Sequence, residues 1–206
     1  MSEVKKIDKD TYARRAHFQY FKDMEYPYVG VTVKVDITEF LNRIKEKDQP
    51  FFLTFLYHIA NAANAVPELR QRIRKDEILE YSWCKTSHTV ALENGTYSYC
   101  CLDSRMQLDE FLPYAIEEQE KSKRIATIEE QEPLSLLFLS STPWFSYTSL
   151  VQPVPRPADS NPRITWGKYF KENDKIRIPL SILCHHALVD GLHIAKFYEE
   201  IEGKMS

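Results

Sequence analysis

The chain has 206 residues, 43% of them hydrophobic, and a net charge of -3, enough apolar material for one substantial core without disulfide support. A balance so close to neutral gives no broad basic field for nucleic acid, and the one basic cluster, residues 70–75, reads as a solvated helix end. No apolar run is long enough to cross a bilayer and the polar start does not read as a signal peptide, so a cytoplasmic chain is expected.

Asp10 or Thr11 is placed to cap a helix over 12–24, with Phe18 and Phe21 or Lys22 on its inner face. Residues 29–37 alternate apolar and polar side chains and predict a strand. Asp36-Ile37-Thr38-Glu39 reads as a capping box that starts a second helix, ending near 47. Pro50 opens a third, over 51–66, apolar nearly all round and therefore buried, with His58 packed within it. Residues 67–73 read as a short helical continuation and 78–83 as a strand. Residues 88–92 and 96–102 form a hairpin turning at Asn94-Gly95. In its second arm Tyr97 and Tyr99 share one face, and Ser98 and Cys100 the other. Adjacent Cys100 and Cys101 cannot share a face, and with Cys84 and Cys184 they lack metal-ligand spacing, so all four read as reduced thiols.

Residues 108–124 predict a charged amphipathic helix burying Phe111, Leu112, Ala115 and Ile116, followed by loop or frayed helix to 132. An apolar strand over 134–139 delivers Ser140, Ser141, Thr142, Pro143 and Trp144. The proline-rich stretch 151–157 is read as a loop inside the domain, because strands continue on both sides. Those later strands are 164–170 and 176–183, joined by a turn at Asn173-Asp174, and a helix over 192–201 follows. Strand and helix signals without internal repeat predict a single α/β or α+β domain over 1–206.

Between that final strand and helix lies His185-His186-Ala187-Leu188-Val189-Asp190-Gly191. Side chains at such a junction are presented to a cleft, and Gly191 supplies permissive backbone there. A neutral imidazole near pH 7 can take a proton from an alcohol or thiol. Asp190 could orient the site or pair with an arginine. The same residues also admit a buried, hydrogen-bonded histidine, a metal site of His186, Asp190 and His193, or a nucleophilic Cys184 on the strand face of His186.

The run 185–191 resembles the HHxxxDG signature of the chloramphenicol acetyltransferase family, and the core of dihydrolipoyl transacylases carries a similar one. The resemblance covers nearly the whole chain through Arg14-Arg15-Ala16-His17-Phe18, Pro67-Glu68-Leu69-Arg70, a serine four residues before Trp144, and the Ile164-Thr165 context. It implies a mixed β-sheet flanked by helices, assembled as a homotrimer in which His186 of one subunit faces the pocket of its neighbour. It implies acetyl transfer from acetyl coenzyme A, the donor substrate, to a hydroxyl of chloramphenicol or a related small acceptor, without acyl-enzyme or metal. His186 would be the general base. Ser140, or Ser141 if the register is off by one, would donate to the oxyanion. Thr165 would hold a water, and Arg14 would pair with Asp190 to support the site. Tyr20, Phe21, Tyr97 and Tyr99 would wall the acceptor pocket, joined by Arg163, with Lys168 and Tyr169 near coenzyme A.

Three positions depart from the family. Tyr99 stands where a small residue is expected, Arg163 where an aliphatic one is, and Pro50 where a lysine can reach coenzyme A. The first two leave open a smaller or anionic acceptor, or a catalytically silent trimeric binding protein. Against silence, the chain keeps Arg14, Ser140, Thr165, His186 and Asp190 together. With no lipoyl domain or long linker expected before the core, a dihydrolipoyl thiol is the weaker alternative acceptor.

Overall fold

A computed structural model describes residues 3–130 and 132–206. In chain order the elements are β1 (Val4–Ile7), α1 (Arg15–Phe21), β2 (Tyr28–Asp36), α2 (Thr38–Glu46), α3 (Phe51–Ala65), β3 (Gln71–Arg74), β4 (Glu77–Tyr81), β5 (Lys85–Ala91), β6 (Tyr97–Leu102), α4 (Leu108–Ile125), β7 (Leu136–Thr142), β8 (Arg163–Gly167), β9 (Phe170–Glu172), β10 (Lys175–His185) and α5 (Gly191–Met205). The main sheet runs β2-β10-β8-β7-β5-β6, with β9 paired to the start of β10, and β1-β4-β3 form a small second sheet. β7 runs parallel to both β5 and β8, while the other neighbours are antiparallel. This is the mixed sheet with flanking helices that the motifs imply.

Alternation along the central strands separates two faces. Leu137, Leu139, Ile164, Trp166, Leu180, Ile182 and Cys184 point into the core. There α3, apolar nearly all round, packs Phe52 and Phe55 against Trp166 at 5.5 and 5.2 Å between ring centres. Asn64 anchors α3, donating to the Cys84 carbonyl at 2.9 Å and accepting from the Cys84 N–H at 2.7 Å. The other face carries hydroxyls and the candidate site.

Several local readings are corrected. α1 begins at Arg15, because Asp8 accepts the Asp10 N–H and the Thr11 hydroxyl and holds the chain in a turn. Asp36 makes a similar turn, accepting the Thr38 N–H and hydroxyl at 3.1 and 2.7 Å, so it replaces the expected capping box with Glu39. In α4 the buried stripe is Phe111 and Ala115, Leu112 is half-buried and Ile116 is exposed. β7 extends through Ser140 to Thr142 instead of ending before them. The strand expected over 164–170 divides after Gly167, where a Cβ would lie 2.8 Å from Pro179 Cγ and 2.9 Å from Tyr147 Cε1. Gly191 is simply the first residue of α5 and needs no left-handed backbone; Gly95, at φ +80°, does.

Residues 71–74 are strand, not the end of a solvated helix. Arg72 is completely buried and donates to the carbonyls of Leu69, Gln71 and Leu136 at 2.7–2.9 Å. Backbone oxygens meet both terminal nitrogens of the guanidinium, which is why a charged side chain is tolerated inside.

Burial lowers the His58, His88 and His185 imidazoles to about 4. In the unfolded chain they titrate near 6.5. Between about pH 6.5 and 4 the unfolded state therefore binds more protons, and stability falls as pH falls through that window. The urea midpoint should drop steadily from pH 7 to pH 5, and an unchanged midpoint would contradict neutral, buried rings.

Candidate active site

β10 ends at His185, and the chain turns through His186, whose N–H donates to the Pro27 carbonyl at 2.7 Å. The half-buried His186 ring packs on Phe21 with centres 4.0 Å apart, and Phe21 meets Tyr20 edge-on at 4.9 Å. His186 Nδ1 lies 2.8 Å from the Val189 carbonyl oxygen. A carbonyl only accepts, so Nδ1 carries the proton and the lone pair of the neutral ring is on Nε2.

Asp190 caps α5 by accepting the Leu192 N–H at 3.0 Å, and it pairs with Arg14 Nη1. Arg14 Nη2 donates to the His186 carbonyl at 3.2 Å. One guanidinium thus fastens both sides of the turn, the pairing that the resemblance implies. Burial alone would push the Asp190 carboxyl up, but Arg14, His193 and the Leu192 N–H outweigh it and hold it below the ordinary range. His193 Nδ1 accepts the Asp190 N–H at 3.1 Å, while its Nε2 faces Glu68 at 3.6 Å. With Asp190 on Arg14 and His193 in the helix cap, neither converges with His186 as a metal ligand. Among the described residues no three His, Cys, Asp or Glu side chains are grouped to hold a metal.

The shared strand face expected for Cys184 and His186 is not found. Cys184 points into the core, and burial pushes its thiol up to about 12. His186 lies beyond the last strand residue, where alternation no longer applies. Cys184→Ala should keep turnover within about two-fold, as expected of a small core residue; acetyl found on Cys184 by mass spectrometry would overturn that.

A cavity of about 540 Å³ opens on the hydroxyl face of the main sheet. Register sets a row of hydroxyls across that face, of which Ser140 and Thr165 line the cavity. Ser140 on β7 pairs with Thr165 on β8, Thr165 with Ser181 on β10, and Ser181 with Thr32 on β2. Cross-strand partners share a face, so Ser140 and not Ser141 is level with Thr165. Ser140, Thr165, Tyr97, Tyr99 and Arg163 all line the cavity. Tyr147 ties the row together. Its hydroxyl donates to the Thr165 carbonyl at 2.8 Å and accepts from Ser181 at 3.2 Å, and the Ser181 and Thr32 hydroxyls are 2.7 Å apart. Thr165 Oγ1 donates to Gln152 at 3.3 Å. Neither Tyr147 nor Gln152 is signalled by motif or periodicity.

The Tyr97 and Tyr99 rings stack at 5.8 Å. Arg163 lies over the Phe138 ring at 5.3 Å and binds Asp159 with both terminal nitrogens at 2.7 Å. Asp159 also accepts from the Tyr28 hydroxyl at 3.1 Å. The Arg163 charge is therefore already answered, and the anionic acceptor entertained from sequence loses its basis. At the other end of β8, Lys168 and Tyr169 follow Gly167, and Tyr169 packs on Phe51 at 5.4 Å, beside Pro50. Neither lines the cavity with Ser140.

His186, Tyr20, Phe21, Arg14 and Asp190 do not line it either. Ser181 is level with Thr165, and the step from it to His186 is about 17 Å along an extended strand. One chain holds the His186 imidazole in one place and a hydroxyl-lined cavity in another.

The family model described as chloramphenicol acetyltransferase matches residues 2–202. A chloramphenicol acetyltransferase of Clostridium perfringens is 32% identical over 205 residues, covering 96% of this chain and 96% of that one. A solved chloramphenicol acetyltransferase structure superposes with a TM-score of 0.84 at 25% identity, covering 100% of both chains. The Azotobacter vinelandii dihydrolipoamide acetyltransferase shares the fold alone, with a TM-score of 0.67 at 14% identity over 92% of this chain and 85% of that one. With the family's match running from one end of the sequence almost to the other, and a curated member 32% identical across 96% of both chains, the chain belongs to the chloramphenicol acetyltransferase family.

Proposed function

We propose that the chain is a single-domain O-acetyltransferase, moving acetyl from acetyl coenzyme A to a hydroxyl of chloramphenicol or a related small acceptor. The observation that carries this reading is the His186 tautomer. Its Nδ1 proton is committed to the Val189 carbonyl, which leaves Nε2 as a base. Nε2 takes the hydroxyl proton as that oxygen attacks the thioester carbonyl. Ser140 donates to the oxyanion that forms. The C–S bond then breaks, and His186 returns the proton to the departing thiolate. Thr165, steadied by Tyr147 and Gln152, orients a water beside the intermediate. Lys168 and Tyr169 sit on the donor side, and Tyr97, Tyr99, Tyr20 and Phe21 on the acceptor side. No metal takes part.

The separation of His186 from the cavity supports a homotrimer in which each site is completed by a neighbour. Apolar side chains left exposed on one chain, Tyr20 at 69%, Trp144 at 75% and Val151 at 94%, support it too. No helix among the described residues is long and apolar enough to cross a membrane, in keeping with a cytoplasmic enzyme. The test is thiol release from acetyl coenzyme A with and without chloramphenicol. Drug-dependent release is expected. No drug-dependent release with coenzyme A still bound would point to another acceptor, and no release with coenzyme A unbound would favour a silent binding protein.

A further inference from the structure

We infer that the acceptor cavity selects hydroxyl compounds that carry an ammonium group, with Glu130 as the residue that receives it. This rests on the acetyl-transfer reading above. The charged side chains lining the cavity are Arg163 and Glu130. Arg163 is neutralised by Asp159, which takes both arms of its guanidinium, and its flat face is covered by Phe138. Glu130 has no such answer. Its half-buried carboxylate accepts from the neutral Ser87 hydroxyl, and among the described residues it makes no ion pair. Arg163 and Asp159 act on it with opposite signs, and burial pushes its carboxyl up.

A carboxylate partly removed from water and met only by a hydroxyl is destabilised until a cation joins it. The same wall carries the stacked Tyr97 and Tyr99 rings, whose faces attract an ammonium as well. The reacting end lies along the same floor, with Ser140 and Thr165. A volume of about 540 Å³ suits a small aryl or alkyl amino-alcohol.

A matched pair of acceptors tests this. Chloramphenicol is neutral; the amino-diol left when its amide is hydrolysed keeps the aryl ring and both hydroxyls and gains an ammonium. Values of kcat/KM from thiol release, with O-acetyl products verified by mass spectrometry, should favour the amino-diol in the natural chain. In Glu130→Gln, which can still accept from Ser87, the ratio of amino-diol to chloramphenicol should fall about ten-fold. An unchanged ratio, or a preference for the neutral compound, would overturn the inference. Calorimetry of the amino-diol without donor gives a readout that needs no turnover. Binding that weakens in Glu130→Gln supports the ammonium site, and absent or unaltered binding overturns it. If the amino-diol binds through Glu130 but neither compound elicits thiol release, the transfer reading fails and the ammonium site stands.

Discussion

In His186→Ala, acceptor-dependent thiol release should fall by about 10³-fold, within the range of roughly 10² to 10⁴ that a positioned general base contributes. The loss should sit in kcat, with KM for both substrates little changed, because the ring acts on a proton in flight and not on either ground state. The fold should survive. Arg14 holds the turn through the His186 backbone carbonyl and the Asp190 carboxylate, not through the imidazole, so truncation removes the base and leaves its mounting. The structural losses are the 4.0 Å contact with Phe21 and the 2.8 Å hydrogen bond to the Val189 carbonyl. Steady-state kinetics and a thermal melt on the same preparation decide the matter. Retained activity would remove His186 from the mechanism; lost activity with a collapsed melt would mean that the ring is structural.

Arg14 shows where sequence reading stops. By itself it is one more charged residue in a polar segment, and only the family motif assigns it to Asp190, 176 positions away. The strand and helix over 176–201 were legible because their apolar periods are long and unbroken. The sequence cluster at 70–75 misled because Arg72 is buried on carbonyl oxygens, which are invisible in a list of side chains. β1 was missed for a related reason: Lys5 and Lys6 look solvated, and its strand character comes from pairing with β4.

The candidate site divides the same way. His186, Ser140 and Thr165 sit in motifs, so they could be named in advance. Tyr147, Gln152, Asp159 and Glu130 could not, because their roles come from register and from loops that return over the sheet. Arg163 was named as a pocket residue and does line the cavity, but Asp159 holds both its terminal nitrogens, so its charge is already answered. A charge in sequence is a potential contact; its partner decides whether any of it is left for a ligand.

Co-expression of His186→Ala and Ser140→Ala chains should restore activity that neither variant has alone. Ser140→Ala removes the proposed oxyanion donor and by itself should cost about 10² to 10³-fold in kcat. In the proposed homotrimer, either variant alone lacks one half of every site. In a randomly mixed trimer, an intact His186 faces an intact Ser140 across about a quarter of the interfaces, since each of two independent choices succeeds half the time. Activity near a quarter of the natural level is therefore expected, well above either parent. The separation seen in one chain is what makes this decisive, because His186 and the hydroxyl-lined cavity lie on different parts of β10 and its neighbours. Were the site complete within one chain, every chain in the mixture would carry a broken copy, and activity would stay at the level of the parents. Assaying thiol release on the unfractionated mixture separates those outcomes, and trimers purified by distinct tags on the two chains, each with one intact interface of three, should show about a third of the natural level.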